Sequence, residues 1–304
     1  MIAILTALAP VFALIVTGAI LRHTGPLTDD GWRAVELLTY WVLLPALILL
    51  KLGGTDLSSY EIAPMVAAMA GAVLIVTSFL VVVRRATGIG AAAYTSVIQG
   101  AIRQNSYIGL AAVGALYGPD GIALAAVGIA AVIPLVNALA VWFLTRMIGE
   151  KPATLRVVLV SMARNPIIIA CLIGIGLNAA GIGLHPLVAD GLDLLGRGAL
   201  ALGLLSVGAG LRFAALRAGW APLLLSNLLK LVAVPALTLA LAPLIGLGGV
   251  ALQVAVLFNA LPSSASSYVF ARALGGDHEL MAAILTTQVA MAAVTLPLFI
   301  VLVG

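Results

Sequence analysis

Residues 258–270, FNALPSSASSYVF, interrupt a long apolar segment near the C-terminus. They surround Pro262 with Asn259 and with serines at positions 263, 264, 266 and 267. A proline inside a helix removes one backbone hydrogen bond and clashes with the preceding turn, which costs about 3 kcal/mol. Backbone groups freed in this way at membrane depth are tolerated only when they are buried in protein or line a watery cavity. The stretch therefore predicts a helix that is broken inside a membrane.

The composition of the whole chain supports a membrane location. Of the 304 residues, 63% are hydrophobic and only 9% are charged, and the mean hydropathy is +1.23. A soluble domain carries about 25% charged residues. We therefore expect the lipid bilayer to surround the chain, and we do not interpret its net charge of +4 as a sign of nucleic-acid binding.

The chain contains ten apolar segments, each long enough to cross the membrane as a helix. These predicted spans lie near residues 2–21, 28–50, 60–83, 91–117, 119–147, 154–178, 186–211, 219–243, 247–274 and 278–303. Most of the breaks between them carry turn residues, for example YGPDG and LGGDHE. The sequence thus predicts an all-α membrane protein with ten transmembrane helices.

Lysine and arginine are distributed unevenly between the two ends of these spans. One side receives only Lys51. The side that carries the loop after span 5 receives Arg22, Arg33, Arg84, Arg85, Arg146, Lys151, Arg156, Arg164, Arg212, Arg217 and Arg272. Because short loops rich in lysine and arginine stay in the cytoplasm, we expect a multi-pass protein of the cytoplasmic (inner) membrane. The loop after span 5 would be cytoplasmic, and both termini would lie outside.

The two halves of the chain, residues 1–150 and 151–304, resemble each other weakly. When Asn105-Ser106 is aligned with Pro262-Ser263, the turn Tyr117-Gly118-Pro119-Asp120 falls on Leu274-Gly275-Gly276-Asp277. Because each half contains five spans, the second copy enters the membrane upside down relative to the first. Inverted repeats of this kind are typical of secondary transporters.

Span 4 is polar at the place that corresponds to the break in span 9. Two interrupted segments at matching places in the two halves indicate the substrate site of a transporter. Each break creates a half-helix N-terminus with unpaired amides and partial positive charge, which suits an anion. Arg103, near the middle of span 4, strengthens this interpretation, since an arginine at the bilayer centre is costly. We expect the substrate to be bound by Arg103, Gln104, Asn105, Ser106, Asn259, Pro262, Ser263 and Ser264.

A second group of polar residues within the spans is expected to line the cavity or to take part in ion coupling: Lys230, Gln288, Thr287 and Asn137. Lys230 is compatible with three roles: it takes the place of a coupling cation, carries a proton, or binds substrate. Pairing with Asp193 or Glu36 is the structural alternative. Asp193 is four residues from Arg197, and this spacing predicts a local ion pair.

The features of the predicted site also have purely structural explanations. Pro262 is compatible with a simple kink, since proline is common in membrane helices. The serines are compatible with close helix packing, and Arg103 with pairing to a structural acid from another span.

The sequence contains no recognisable enzyme motif. No serine-hydrolase elbow, zinc-protease helix or phosphate-binding glycine loop occurs, and the three histidines have no metal-site spacing. We therefore expect no catalysis, metal or cofactor, apart from coupling to protons or sodium.

The second half of the chain resembles the auxin efflux carrier family, including its bacterial members. The resemblance covers essentially all ten spans. It rests on Pro262, Gly275-Gly276-Asp277 and Thr295-Leu296-Pro297 around span 9 and span 10, and on Arg103-Gln104-Asn105, Ile108-Gly109-Leu110 and Tyr117-Gly118 in span 4.

The resemblance implies the fold of bile-acid symporters and sodium–proton antiporters, with ten helices in two inverted five-helix repeats. Spans 1, 2, 6 and 7 would form a scaffold. Spans 3–5 and 8–10 would form a transport domain in which the broken spans 4 and 9 cross, with Asn105 at the crossing. The resemblance also implies a homodimer that moves organic anions. Malonate or malate fits better than auxin, because the chain lacks the span-4 proline and the long cytoplasmic loop of plant members.

The sequence thus predicts a secondary transporter of small organic anions that works by alternating access. A cation–proton antiporter on the same fold is the alternative, and it requires an acid near the breaks. Spans 4 and 9 contain no aspartate or glutamate. An intramembrane enzyme and a signalling receptor are more distant alternatives.

Overall fold

The computed structural model describes residues 1–25, 27–148, 163–213 and 219–304, and all the regular structure in these residues is helical, as predicted. The helices are α1 (Ile2–Thr24), α2 (Asp29–Leu38), α3 (Leu44–Gly54), α4 (Ile62–Val83), α5 (Ala91–Ile102), α6 (Ser106–Met147), α7 (Pro166–Ala179), α8 (Pro186–Ala209), α9 (Trp220–Leu228), α10 (Val234–Leu241), α11 (Gly249–Asn259), α12 (Ser266–Ala273) and α13 (His278–Val303). A π-helical turn joins α2 to α3, and another joins α9 to α10.

Within the described residues, seven helical segments are long and apolar enough to cross a membrane, and α7 and α11 are shorter apolar helices. The chain is therefore a multi-pass membrane protein, as predicted. One of the seven segments, Ala91–Met147, contains both predicted spans 4 and 5. The ten-span count and the inverted repeat stay predictions. The loop after span 5 and the first part of span 6 lie outside the described residues.

The boundary predicted between spans 4 and 5 is a kink within α6. Gly118 has φ 65° and ψ −154°, which is not helical. A residue with a side chain rarely adopts such a positive φ, whereas glycine does so at no steric cost. The Tyr117-Gly118 turn recognised in the sequence therefore depends on glycine at this position.

The chain divides into two compact units, each assembled from three separate stretches. Unit 1 comprises Met1–Ile62, Ser106–Ala130 and Ser161–Gly210, and unit 2 comprises Ala63–Asn105, Ala131–Val160 and Leu211–Gly304. The division into halves 1–150 and 151–304, and the assignment of scaffold and transport domain, stay predictions.

Glycines allow the helices of unit 1 to approach closely. A Cβ added at Gly208 of α8 would overlap the carbonyl oxygen of Ile15 in α1. A Cβ added at Gly174 of α7 would lie 2.7 Å from the Cβ of Leu52 in α3. Because lipid tails are as apolar as leucine, membrane helices associate largely through such close packing. The stability of unit 1 should therefore depend on these small residues.

The ion pair predicted on α8 is present. Arg197 donates from Nε and Nη2 to Asp193 Oδ2, at 2.8 and 2.6 Å. Two residues of opposite charge on one helix face thus satisfy each other locally.

In unit 2, the π-helical turn Leu229–Ala233 precedes a proline. Val234 donates its amide to the carbonyl of Leu229, five residues back. Pro235 has no amide of its own, so the regular hydrogen-bond ladder is already interrupted at this point. Inserted turns of this kind occur frequently at functional sites, and this one contains Lys230.

Replacement of Gly208 by alanine tests the packing of α1 on α8. We expect Gly208→Ala to lower the free energy of unfolding by about 1–3 kcal/mol, because the new methyl group must displace backbone rather than a flexible side chain. Thermal unfolding of the detergent-solubilised protein measures this effect. Gly191→Ala is the matched control, since nothing lies within 4 Å of a Cβ at this position of the same helix. Equal melting temperatures for the two variants would contradict the packing assignment.

Candidate functional site

Two helical segments are interrupted, and residues 103–105 and 260–265 at the two interruptions contact each other within unit 2. Helix α5 ends at Ile102, and the chain leaves the helix at Arg103, with φ −85° and ψ 152°. Helix α11 ends at Asn259, and α12 begins only at Ser266. The amide of Asn105 donates to the carbonyl of Pro262 at 2.9 Å. Each break therefore supplies a partner for the other, as backbone at membrane depth requires.

Gly100 does not interrupt the helix. It lies inside α5, and a Cβ there would overlap Ser226 Oγ and lie 2.7 Å from Ile284 Cγ2. The glycine is needed for close packing. The helix ends after Ile102. Beyond this point the amide of Asn105 donates to the carbonyl of Pro262 instead of to a carbonyl of its own helix.

Gln288 of α13 connects the two interrupted helices. Its Oε1 accepts the amide of Ser263 at 2.8 Å, and its Nε2 donates to the carbonyl of Gly100 at 3.0 Å. The side chain is fully buried. The side-chain amide of Gln288 thus provides a hydrogen-bond partner both for the backbone amide of Ser263 and for the carbonyl of Gly100 near the end of α5. In this conformation the amide of Ser263 has a protein partner.

Asn259, at the end of α11, is the centre of a fully buried polar cluster. Its Oδ1 accepts from Gln104 Nε2 at 3.2 Å. Its Nδ2 donates to Thr238 Oγ1 at 2.7 Å and to the carbonyl of Met69 at 3.2 Å. Its carbonyl accepts from Lys230 Nζ at 3.1 Å. The cluster therefore links the first break, through Gln104, to the lysine on the π-helical turn.

Arg103 lies beside the N-terminus of α12. Its Nη2 donates to Ser266 Oγ at 2.9 Å, and its guanidinium carbon lies 4.6 Å from the centroid of the Phe270 ring. The residue is only 5% exposed. The backbone amides of Ser264 and Ala265, just before this helix, donate to no other residue within the described ranges. The guanidinium of Arg103 thus lies beside the helix whose N-terminus is preceded by these two amides.

The charges of unit 2 are strongly asymmetric. Its acidic residues within the described ranges are Asp277 and Glu279, both at the N-terminal end of α13. By contrast, Arg103 and Lys230 both lie within predicted spans, and Lys230 is 0% exposed. A helix N-terminus carries about half a positive charge. The arrangement can therefore hold an anion.

The remaining predicted residues occupy other places. Ser106 is the first residue of α6 and belongs to unit 1. Thr287 of α13 accepts from Asn227 Nδ2 at 3.0 Å. Asn137 lies on α6, and its buried Oδ1 bonds to none of the residues that the structure describes. The geometry thus brings neither Thr287 nor Asn137 into hydrogen bonding with the crossing residues.

Three further residues belong to the site but were not among the predicted ones. Ser266 and Phe270 contact Arg103 and are four residues apart on α12. Gln99 is 1% exposed, and neither atom of its side-chain amide has a partner in the described part of the chain. In the sequence, Gln99 is four residues from Arg103, and Ser266 is four residues from Phe270, so each pair is predicted to share a helix face. This spacing does not show which residues of one helix contact which residues of the other.

Two interrupted helices that meet in a multi-pass protein, with a buried cation at a half-helix N-terminus, are the construction of a membrane transporter. A family model described as membrane transport protein matches residues 3–300. The chain belongs to this family, the auxin efflux carriers, whose members are transporters rather than enzymes. No curated protein matches the chain.

Removal of the Gln288 side chain should loosen the crossing. We expect Gln288→Ala to lower the free energy of unfolding by about 2 kcal/mol or more, because a buried donor and a buried acceptor lose their partner. Amide hydrogen exchange of residues 258–270 should also accelerate. Both are measured on purified protein in detergent.

Gln253→Ala is the matched control for this substitution. Gln253 lies on α11 and makes a single long hydrogen bond of 3.4 Å to the carbonyl of Val303. Its removal should leave exchange at residues 258–270 unchanged. Identical exchange in the two variants would show that Gln288 does not hold the crossing.

Proposed function

We propose that the protein is a secondary transporter of small organic anions and that the crossing of the two interrupted helices binds the substrate carboxylate. The supporting observation is the position of Arg103, whose Nη2 lies 2.9 Å from Ser266 Oγ at the N-terminus of α12. Arg103 and the amides of Ser264 and Ala265 would hold the carboxylate.

Electrostatics favours an anion at this place. A guanidinium beside a helix N-terminus puts two positive charges close together, and the low dielectric of the interior strengthens their repulsion. A carboxylate bound to Arg103 would neutralise this charge and accept the two amide hydrogens.

The same proposal covers the type of substrate, the mode of transport and the oligomeric state. Malonate or malate is the expected type of substrate, and an auxin-like acid is the larger alternative. The site would open to the two sides of the cytoplasmic membrane in turn, in a homodimer with both termini outside. A cation–proton antiporter is less favoured, because spans 4 and 9 provide no carboxylate to carry the cation.

Uptake by purified protein in liposomes tests the role of Arg103. We expect labelled malonate or malate to be taken up. Arg103→Gln should lower kcat/KM by about 10- to 100-fold, because a charge-assisted hydrogen bond is worth about 1.5–3 kcal/mol. Arg103→Lys should show a smaller loss, since it keeps the charge but not the planar fork. Malonamide, the uncharged analogue, should not compete.

Arg272→Gln is the control, because Arg272 lies on the same helix, α12, and is exposed. It should transport within about twofold of the wild type, since exposed charges contribute little. Transport of every tested anion at the wild-type rate by Arg103→Gln would disprove the proposed site.

A further inference from the structure

We propose that Lys230 is a tethered cation, whose ammonium group takes the place of a coupling cation at the C-terminal end of α11, so that transport needs no sodium. This inference rests on the proposed transport function. Lys230 lies at the C-terminal end of α11, whereas Arg103 would bind the substrate at the N-terminal end of α12.

The position of Lys230 is specific. Its Nζ lies 3.1 Å from the carbonyl oxygen of Asn259, the last residue of α11. The carbonyls at a helix C-terminus lack intrahelical partners and carry about half a negative charge. In secondary transporters, such half-helix C-terminal ends and unwound carbonyls coordinate the coupling cation. Here a lysine side chain already donates to one of these carbonyls.

In the described part of unit 2, the acidic residues are Asp277 and Glu279, at the N-terminal end of α13. Lys230 forms no ion pair with either of them. The neighbours of the ammonium include the helix-end carbonyl and the polar cluster around Asn259, both buried. A structural ion pair with the described acids of the same unit therefore does not explain the lysine. It acts as the positive charge that the end of the half-helix requires.

Lys230 is connected to the substrate side of the crossing by two hydrogen bonds. Its Nζ donates to the Asn259 carbonyl, and Asn259 Oδ1 accepts from Gln104, which follows Arg103 in sequence. Asn259 is also fixed by Thr238 and by the carbonyl of Met69. Lys230 is therefore a positioning residue, which acts on the binding site through Asn259 and Gln104.

A tethered ammonium changes the ion dependence of the protein. A sodium ion would have to displace the ammonium group, and the side chain cannot leave the site by diffusion. Uptake and melting temperature should therefore be the same in sodium chloride and in choline chloride. If Lys230 is shortened, the carbonyl is left for a free cation of matching size.

The experiment compares the wild type with Lys230→Met and Lys230→Ala in liposomes and in detergent. Wild-type malonate uptake should change less than twofold when choline replaces sodium. Lys230→Met, which keeps most of the side-chain volume, should lose at least tenfold in uptake.

Lys230→Ala should also lose at least tenfold in uptake. Ethylammonium chloride should restore part of both the uptake and the melting temperature of this variant, whereas tetraethylammonium should restore neither. Lys51→Ala is the control: neither ethylammonium nor tetraethylammonium should change its uptake or its melting temperature.

Either of two results would overturn the inference. One is a wild-type protein that requires sodium for uptake or melts several degrees higher in sodium than in choline. The other is a Lys230→Met variant that transports and melts like the wild type. The melting measurements need no substrate, so they test the tethered cation even if malonate proves not to be transported. Failure of the proposed function would instead show as absent uptake in the wild type, with ethylammonium still stabilising Lys230→Ala.

Discussion

The backbone of two helical segments is interrupted among buried residues, and the neighbouring polar residues of unit 2 supply partners for the freed backbone groups. The hydrogen bond from the Asn105 amide to the Pro262 carbonyl is a direct backbone contact between the two interruptions. Gln288 adds a second link between the same segments. Irregular backbone at membrane depth persists only if protein groups replace water in this way. The crossing thus gathers buried polar side chains in an otherwise apolar unit.

The same constraint separates the charges of the site. Interrupting a helix produces a C-terminal end with partial negative charge and, across the break, an N-terminal end with partial positive charge. Lys230 donates to the negative end, at Asn259. Arg103 lies at the positive end, at Ser266. The lysine therefore complements its helix end, whereas the arginine adds to the charge of its own. This difference is why we place the substrate anion at Arg103 and the internal cation at Lys230.

The sequence predicted the helical class, the membrane location and the positions of both breaks, because each depends on local composition. Pro262 with its serines, and the run from Gln99 to Ser106, are recognisable without a structure. The partners in the crossing were not predictable in the same way. The contacts of Gln288 with Gly100 and Ser263 join residues that are far apart in sequence. The packing role of Gly100 depends likewise on Ile284, which only the folded chain brings to it.

The central claim is that the crossing is an anion site. A cryo-EM map of the protein in a lipid nanodisc, recorded with and without malonate, tests it most directly. We expect ligand density within hydrogen-bonding distance of the Arg103 guanidinium and of the Ser264 and Ala265 amides, present only with malonate. Density for malonate elsewhere, with the guanidinium of Arg103 unchanged between the two maps, would contradict it.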